Sequence, residues 1–228
     1  MLRQNSQLTE SDAAASASET TAPGSGSESK PATYLSMIPR GFQPINDIIE
    51  LRSLEALNAI APKSPADLVT GVRGVLAKDS YSSVATTPNI ESDADAQLLF
   101  YVPFMNSTKI HTVLIQSPLV DKDEDVEVKQ RASKIKIWTN VPSILSFDDA
   151  VSTPAVHEAA IDEPDEQGWS AIRLRYVRFQ RVNSVVILLE GEDEDEPIAV
   201  NKIVFIGEKG EKVETVINKD SQTEPHIH

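Results

Sequence analysis

The stretch IRLRYVRFQRVNSVVILLEGEDEDEP, Ile172 to Pro197, sets an arginine-studded segment beside an apolar one and ends in a run of acids. In Ile172-Arg173-Leu174-Arg175 the arginines hold the odd positions, whereas in Val177-Arg178-Phe179 the apolar residues do. Side chains of a strand alternate faces with period two, so the change of parity near Tyr176 predicts a bulge or twist there. Gln180 to Asn183 reads as a turn, and Ser184 to Leu189 is apolar on both faces, as suits a central strand under cover. The solvent-side guanidiniums of Arg173, Arg175, Arg178 and Arg181 have two readings. They pair with the protein's own loop carboxylates, at about 0–1 kcal/mol per exposed pair, or they meet the acidic surface of a partner.

Outward from this stretch the texture is β-rich from Gln97 onward. Candidate strands are Leu98–Val102, Lys109–Gln116, Lys134–Thr139, Val156–Ile161, Ile172–Phe179, Ser184–Glu190 and Ile198–Ile206, separated by proline, glycine and acidic loops. Short strands without long intervening helices predict an all-β, antiparallel β-sandwich over residues 91–210. A helical turn is expected at Ser146–Ala150, with Ser146 as N-cap.

Upstream, residues 40–90 read as a partly helical, irregular segment. Ile45, Ile48 and Ile49 running on to Leu51, Leu54 and Leu57 have helical spacing that drifts, so a kinked helix or two short pieces is expected. Leu68, Val72, Val75 and Leu76 give a second helix, weakened by Gly71 and Gly74. Residues 1–33 hold almost no large apolar side chains and are expected to be a disordered leader, and 211–228 a flexible tail.

The composition excludes several classes of function. A net charge of −14 opposes general affinity for nucleic acid or anionic membrane. The absence of cysteine excludes disulfides, thiol redox chemistry and Cys-ligated zinc. No secretory signal or spanning apolar run is present, so a soluble intracellular protein is expected, and the sequon Asn106-Ser107-Thr108 would stay unmodified. Asp121, Asp123 and Asp125 open like a calcium loop, but Val126 stands where glycine is needed and Ala132 where glutamate is needed, so a solvated loop is expected. No phosphate loop, nucleophile elbow or paired-carboxylate motif appears, and His111 and His157 lack partners at catalytic spacing. A non-enzymatic protein without a cofactor is the reading.

Two further features bear on partners. In Lys134-Ile135-Lys136-Ile137-Trp138-Thr139, Trp138 falls on the lysine face, where either a loop or the N-terminal segment covers it or it contacts a partner. The terminal Pro225-His226-Ile227-His228 puts His226 and His228 on one side of an extended chain together with the α-carboxylate. These are ligands for a partner's metal, or they belong to an ordinary loose tail.

Glu91 to Leu99 (ESDADAQLL) followed by Val102-Pro103-Phe104 resembles the "ESDxDEQLL…IPF" stretch of the PITH domain, the C-terminal proteasome-interacting domain of thioredoxin-like proteins. Lys134 to Pro142 (KIKIWTNVP) resembles its "VKIFINxP", Leu145 to Ala150 its "xDFDDAE", Leu174 to Ser184 its "LRYVKFQNVNS", Ile203 to Gly207 its "LxFIG", and Glu55-Ala56-Leu57-Asn58 its "ECLN" with alanine for cysteine. The resemblance spans roughly residues 45 to 210, within a domain taken as 40–210.

It implies a jelly-roll sandwich of the galactose-binding-like type, association with the proteasome regulatory particle, and a cytoplasmic or nuclear location. Without a thioredoxin domain or a C-x-x-C, the chain resembles a stand-alone, monomeric member. Some thioredoxin-linked relatives also end in histidine, and the regulatory particle carries a zinc-dependent deubiquitinase, which would give His226 and His228 a place to bind. The alternatives are a nuclear or transcription-linked adaptor and a small-ligand or glycan-binding sandwich.

Overall fold

A computed structural model describes residues 33–63, 66–77, 88–118 and 129–210. The expectations for the leader up to residue 32, the loop Asp121 to Glu127 and the tail from 211, including His226 and His228, lie outside the described residues. The strands are β1 (Gln43–Pro44), β2 (Glu55–Leu57), β3 (Ala59–Ile60), β4 (Ile90–Ser92), β5 (Gln97–Gln116), β6 (Lys134–Thr139), β7 (His157–Ala160), β8 (Trp169–Arg173), β9 (Val182–Glu190), β10 (Ala199–Val200) and β11 (Lys202–Lys209). Helices are α1 (Thr33–Ser36), α2 (Leu68–Leu76) and α3 (Phe147–Ser152).

The axis of the molecule is β5, a single strand of 20 residues where the sequence suggested two. Its first half pairs with β2 and with β9, and β9 continues to β6 and β7. Its second half pairs with β11 and with β8, and β11 continues to β1. All these pairings are antiparallel, as expected for an all-β sandwich. The ladder to β9 breaks between Pro103 and Thr108, where proline has no N–H to donate, and there the strand passes from one layer to the other.

The parity of β5 records that passage. Leu98, Phe100, Val102 and Ile110 face the central core, then Val113 and Ile115 do, so one residue has been inserted. The register confirms it: Ile206 opposes Thr112 and Gly207 opposes Ile110, leaving His111 as the extra residue of a bulge. Both outer faces are covered as well. Tyr34, Met37, Ile38 and Phe42 pack on Leu114, Trp169, Val204 and Ile206. On the other side Val141, Ile144, Leu145, Phe147 and Ala150 pack with Leu99, Trp138, Val186 and Leu188. This is why β9 reads as apolar on both faces: Val185, Ile187 and Leu189 face the core while Val186 and Leu188 face the outer layer.

The first upstream helix is corrected. Residues 45–57 form a 3-10 turn, Asn46–Ile48, and then the strand β2, because the backbone there bonds sideways to the sandwich: Ile45 N–H donates to Phe205 O (2.9 Å) and Glu50 N–H to Pro103 O (2.9 Å). Buried Asn46 fixes the turn, donating to Leu76 O and Ile203 O and accepting from Phe205 N–H, each at 2.8 Å. The second helix stands as α2, capped by Asp67, which accepts from Thr70 N–H. Gly71 is required there, since a Cβ would lie 2.4 Å from the Ala61 Cβ. Ser146 caps α3 as read.

Candidate interaction face

The expected strand Ile172–Phe179 is also corrected. β8 ends at Arg173, and the change of parity near Tyr176 is resolved by a 3-10 turn, Tyr176–Arg178, in place of a bulge. Leu174 and Phe179 are buried on either side of it and anchor the crossing from the edge strand β8 to β9. Arg173 closes β8, Arg175 stands just before the turn, and Arg178 ends it, its Nη1 donating to Val156 O at 3.3 Å. Arg173, Arg175, Arg178 and Arg181 are all exposed. Among them stands Val177, an apolar side chain 84% exposed.

Pairing of these arginines with the protein's own carboxylates is not found among the described residues. Among the described residues Lys109, Arg131, Lys134, Lys136 and Lys209 form ion pairs, but none of the four arginines does. Two of the acids are engaged elsewhere. Glu208 holds Lys109 Nζ (2.8 Å) and accepts from Tyr176 Oη (2.9 Å), and Glu190 holds Lys136 Nζ (3.0 Å). Both bonds to Glu208 hold its carboxyl below the usual range. Beyond Glu190, the acidic run is fastened by Gln130, whose Oε1 accepts from Glu192 N–H (3.0 Å) and Asp193 N–H (3.1 Å).

The turn is held firmly. Leu174 N–H donates to His111 O and Ile110 N–H to Phe179 O, each at 2.9 Å, and Gln180 Nε2 donates to Tyr176 O at 2.6 Å. Phe42, His111 and Tyr176 pack as a trio, with ring centroids 4.4 to 5.7 Å apart. Burial, with the nearby Arg173 guanidinium second, holds the His111 pKa below its ordinary value. His157, edge to face with Phe179 at 6.3 Å, is held down by burial and then by Arg175. Its Nε2 is buried without a hydrogen-bond partner among the described residues. Two asparagines of the quoted motifs complete the loops. Asn58 (φ 55°) and Asn140 (φ 59°) both take the left-handed conformation. Asn58 donates to Asp95 Oδ1 and Gln97 O and accepts from Ala94 N–H, tying the ESDADAQ turn.

Trp138 is not part of this face. It is 3% exposed, lies under the segment from Val141 to Ala155, and donates through Nε1 to Thr153 O at 3.0 Å. The covered reading therefore stands over the partner contact, with the cover supplied by α3 and its flanks and not by the N-terminal segment. Among the described residues no group of three or more His, Asp or Glu side chains is placed to hold a metal ion. No helix among them is long and apolar enough to cross a membrane.

The PITH domain family profile matches residues 36–224. Thioredoxin-like protein 1 of Schizosaccharomyces pombe is 34% identical over 172 residues, covering 74% of this chain and 52% of that protein. PITH domain-containing protein 1 of Mus musculus is 28% identical over 148 residues, covering 61% of this chain and 62% of that protein. The chain thus spans between half and two-thirds of the length of these relatives. Among solved structures, the CBM32-1, CBM32-2 and M60 catalytic domains of Clostridium perfringens ZmpB align with a TM-score of 0.49 at 13% identity, over 78% of this chain and 16% of that one.

Proposed function

The chain belongs to the PITH domain family, and on that premise we propose that it is a non-enzymatic protein-interaction module that associates with the proteasome regulatory particle in the cytoplasm or nucleus. The observation that carries the reading is the family match over residues 36–224, which takes in the whole sandwich. The form of the molecule supports it. Both outer sheet faces are covered, and a firmly held turn carries exposed arginines that form no ion pair among the described residues, the residue type enriched at binding hot spots. In the same reading the C-terminal tail inserts into a groove or metal site of the particle, with His226 and His228 as the metal-directed groups.

Co-purification from cell extract tests both parts, comparing the full chain with one lacking the residues after Thr223. Recovery of regulatory-particle subunits with the full chain and reduced recovery with the truncated one is the expected result. Equal recovery removes the tail's role, and recovery with neither removes the association.

A further inference from the structure

We infer that Arg173, Arg175, Arg178 and Arg181, with Val177 at their centre, form a docking face for an acidic segment of a partner protein that presents one aliphatic residue among its carboxylates. The inference rests on the reading of the chain as an interaction module and assigns it a contact surface and a partner chemistry.

The chain has 35 acidic against 21 basic residues, so a base left unpaired is not unpaired for want of acids. The neighbouring carboxylate, Glu208, is already occupied by Lys109 and Tyr176. The acidic run after Glu190 stands at the far end of β9, whose nine residues at about 3.3 Å each put it roughly 30 Å from Arg181. The Debye length at physiological ionic strength is about 8 Å, so that run cannot neutralise the arginines through solvent. Among the described residues the two ends of β9 are charged oppositely, and the exposed arginines at its start form no ion pair, so they attract an anionic partner that the acidic run at the other end repels.

Val177 is more exposed than any other large apolar residue described, and it sits on a turn fixed by buried Phe179, by two backbone bonds to β5 and by the Tyr176–Glu208 bond. A preformed surface avoids ordering costs on binding, and guanidiniums grip carboxylates in a fork geometry that lysine lacks. An apolar contact ringed by such pairs selects a peptide with an aliphatic side chain between acids and discriminates against a featureless polyanion. A bare phosphate chain offers nothing to Val177.

The test uses the full chain and a fluorescein-labelled synthetic 12-residue peptide of Glu and Asp with one central Leu, read by fluorescence anisotropy, with inorganic polyphosphate as competitor. Arg173→Glu/Arg175→Glu is the informative variant, because neither side chain makes a described hydrogen bond or ion pair, and its melting curve reports that the fold is kept. Saturable binding weakened at least tenfold by the double variant, severalfold by Val177→Ala and by added salt is the expected result. No binding by the unaltered chain, or undiminished binding by the folded double variant, overturns the inference. Weakening by the double variant with no effect of Val177→Ala, and displacement by polyphosphate at equal charge, replaces the acidic segment with a general anion site and also overturns it. Failure here with proteasome recovery intact leaves the proposed function standing, and peptide binding without proteasome recovery does the reverse.

Discussion

Asn140 holds the backbone of Arg181 in place: its Nδ2 donates to the Arg181 carbonyl at 2.9 Å, while its Oδ1 accepts from Asn183 N–H at 2.8 Å. The last residue of the basic row is therefore positioned by a side chain that follows β6, across the sheet from it. Asn140→Ala loses both bonds, each worth about 1 kcal/mol, and keeps a left-handed backbone that suits alanine poorly, so a loss of roughly 2–3 kcal/mol is expected. Asn140→Gly relieves the conformational part and should fall between alanine and the unaltered chain. Urea denaturation of the three proteins gives the order.

Trp138 is a test of cover. Its truncation to alanine should cost about 3–5 kcal/mol, as for other large core side chains, while Trp138→Phe loses chiefly the bond to Thr153 and costs about 1–2 kcal/mol. Trp138 and Trp169 are 3% and 1% exposed, so native fluorescence should be blue-shifted and insensitive to iodide. A strongly quenched native signal would contradict the burial.

Two glycines should respond with opposite signs. At Gly207 a Cβ would lie 1.9 Å from the Lys109 carbonyl oxygen, at the place where β11 crosses the His111 bulge, so Gly207→Ala should cost about 1–3 kcal/mol or more through strain. At Gly74, within α2, the nearest atom would be 3.6 Å away, and Gly74→Ala should stabilise by up to about 1 kcal/mol from helix propensity. Thermal melts of both variants check the signs.

Acid should weaken the sandwich before the carboxylates titrate. His157 and His111 have pKa values lowered by burial and then by Arg175 and Arg173, so the unfolded chain binds more protons than the folded one below the ordinary histidine value near 6.5. Stability then rises with pH through that window, and is lost as pH falls from about 6.5 toward the lowered folded values. Tm should drop between pH 7.5 and 5.5, and His157→Gln should flatten the drop. A second loss should follow below about 4.5, where Glu208 and Glu158, held low by Lys109 and Lys134, take up protons.

Much of the sandwich was legible because alternation and turn residues report strands directly: β6 falls at Lys134–Thr139 as expected, and β9 covers the expected Ser184–Glu190, starting two residues earlier at Val182, within the stretch read as a turn. The helix at Ile45–Leu57 was misread because its apolar residues serve two contacts of an extended chain, and three- and four-residue spacing does not distinguish that from one helical face. Joining Leu98–Val102 to Lys109–Gln116 was hidden by Pro103 and by polar Asn106 and Ser107, which suit a strand changing layers as well as a loop. The motif residues were visible, but not their work. That Asn58 fastens the ESDADAQ turn and Asn140 the Arg181 turn depends on left-handed conformations that residue type alone does not fix. That the four arginines form no ion pair among the described residues depends on where Glu190 and Glu208 spend their charge, a tertiary fact.

The single strand β5 has a kinetic consequence. Its contacts are with chain far away in sequence, as in Thr108 Oγ1 donating to the Glu208 carbonyl 100 residues on, so its ladders cannot assemble until most of the chain is available. Folding on the millisecond-to-second scale of non-local β topologies is expected. Because the same backbone serves both layers, opening one strips hydrogen bonds from the other. Amide exchange across β9 and β11 should therefore share one opening free energy, with both layers behaving as one cooperative unit.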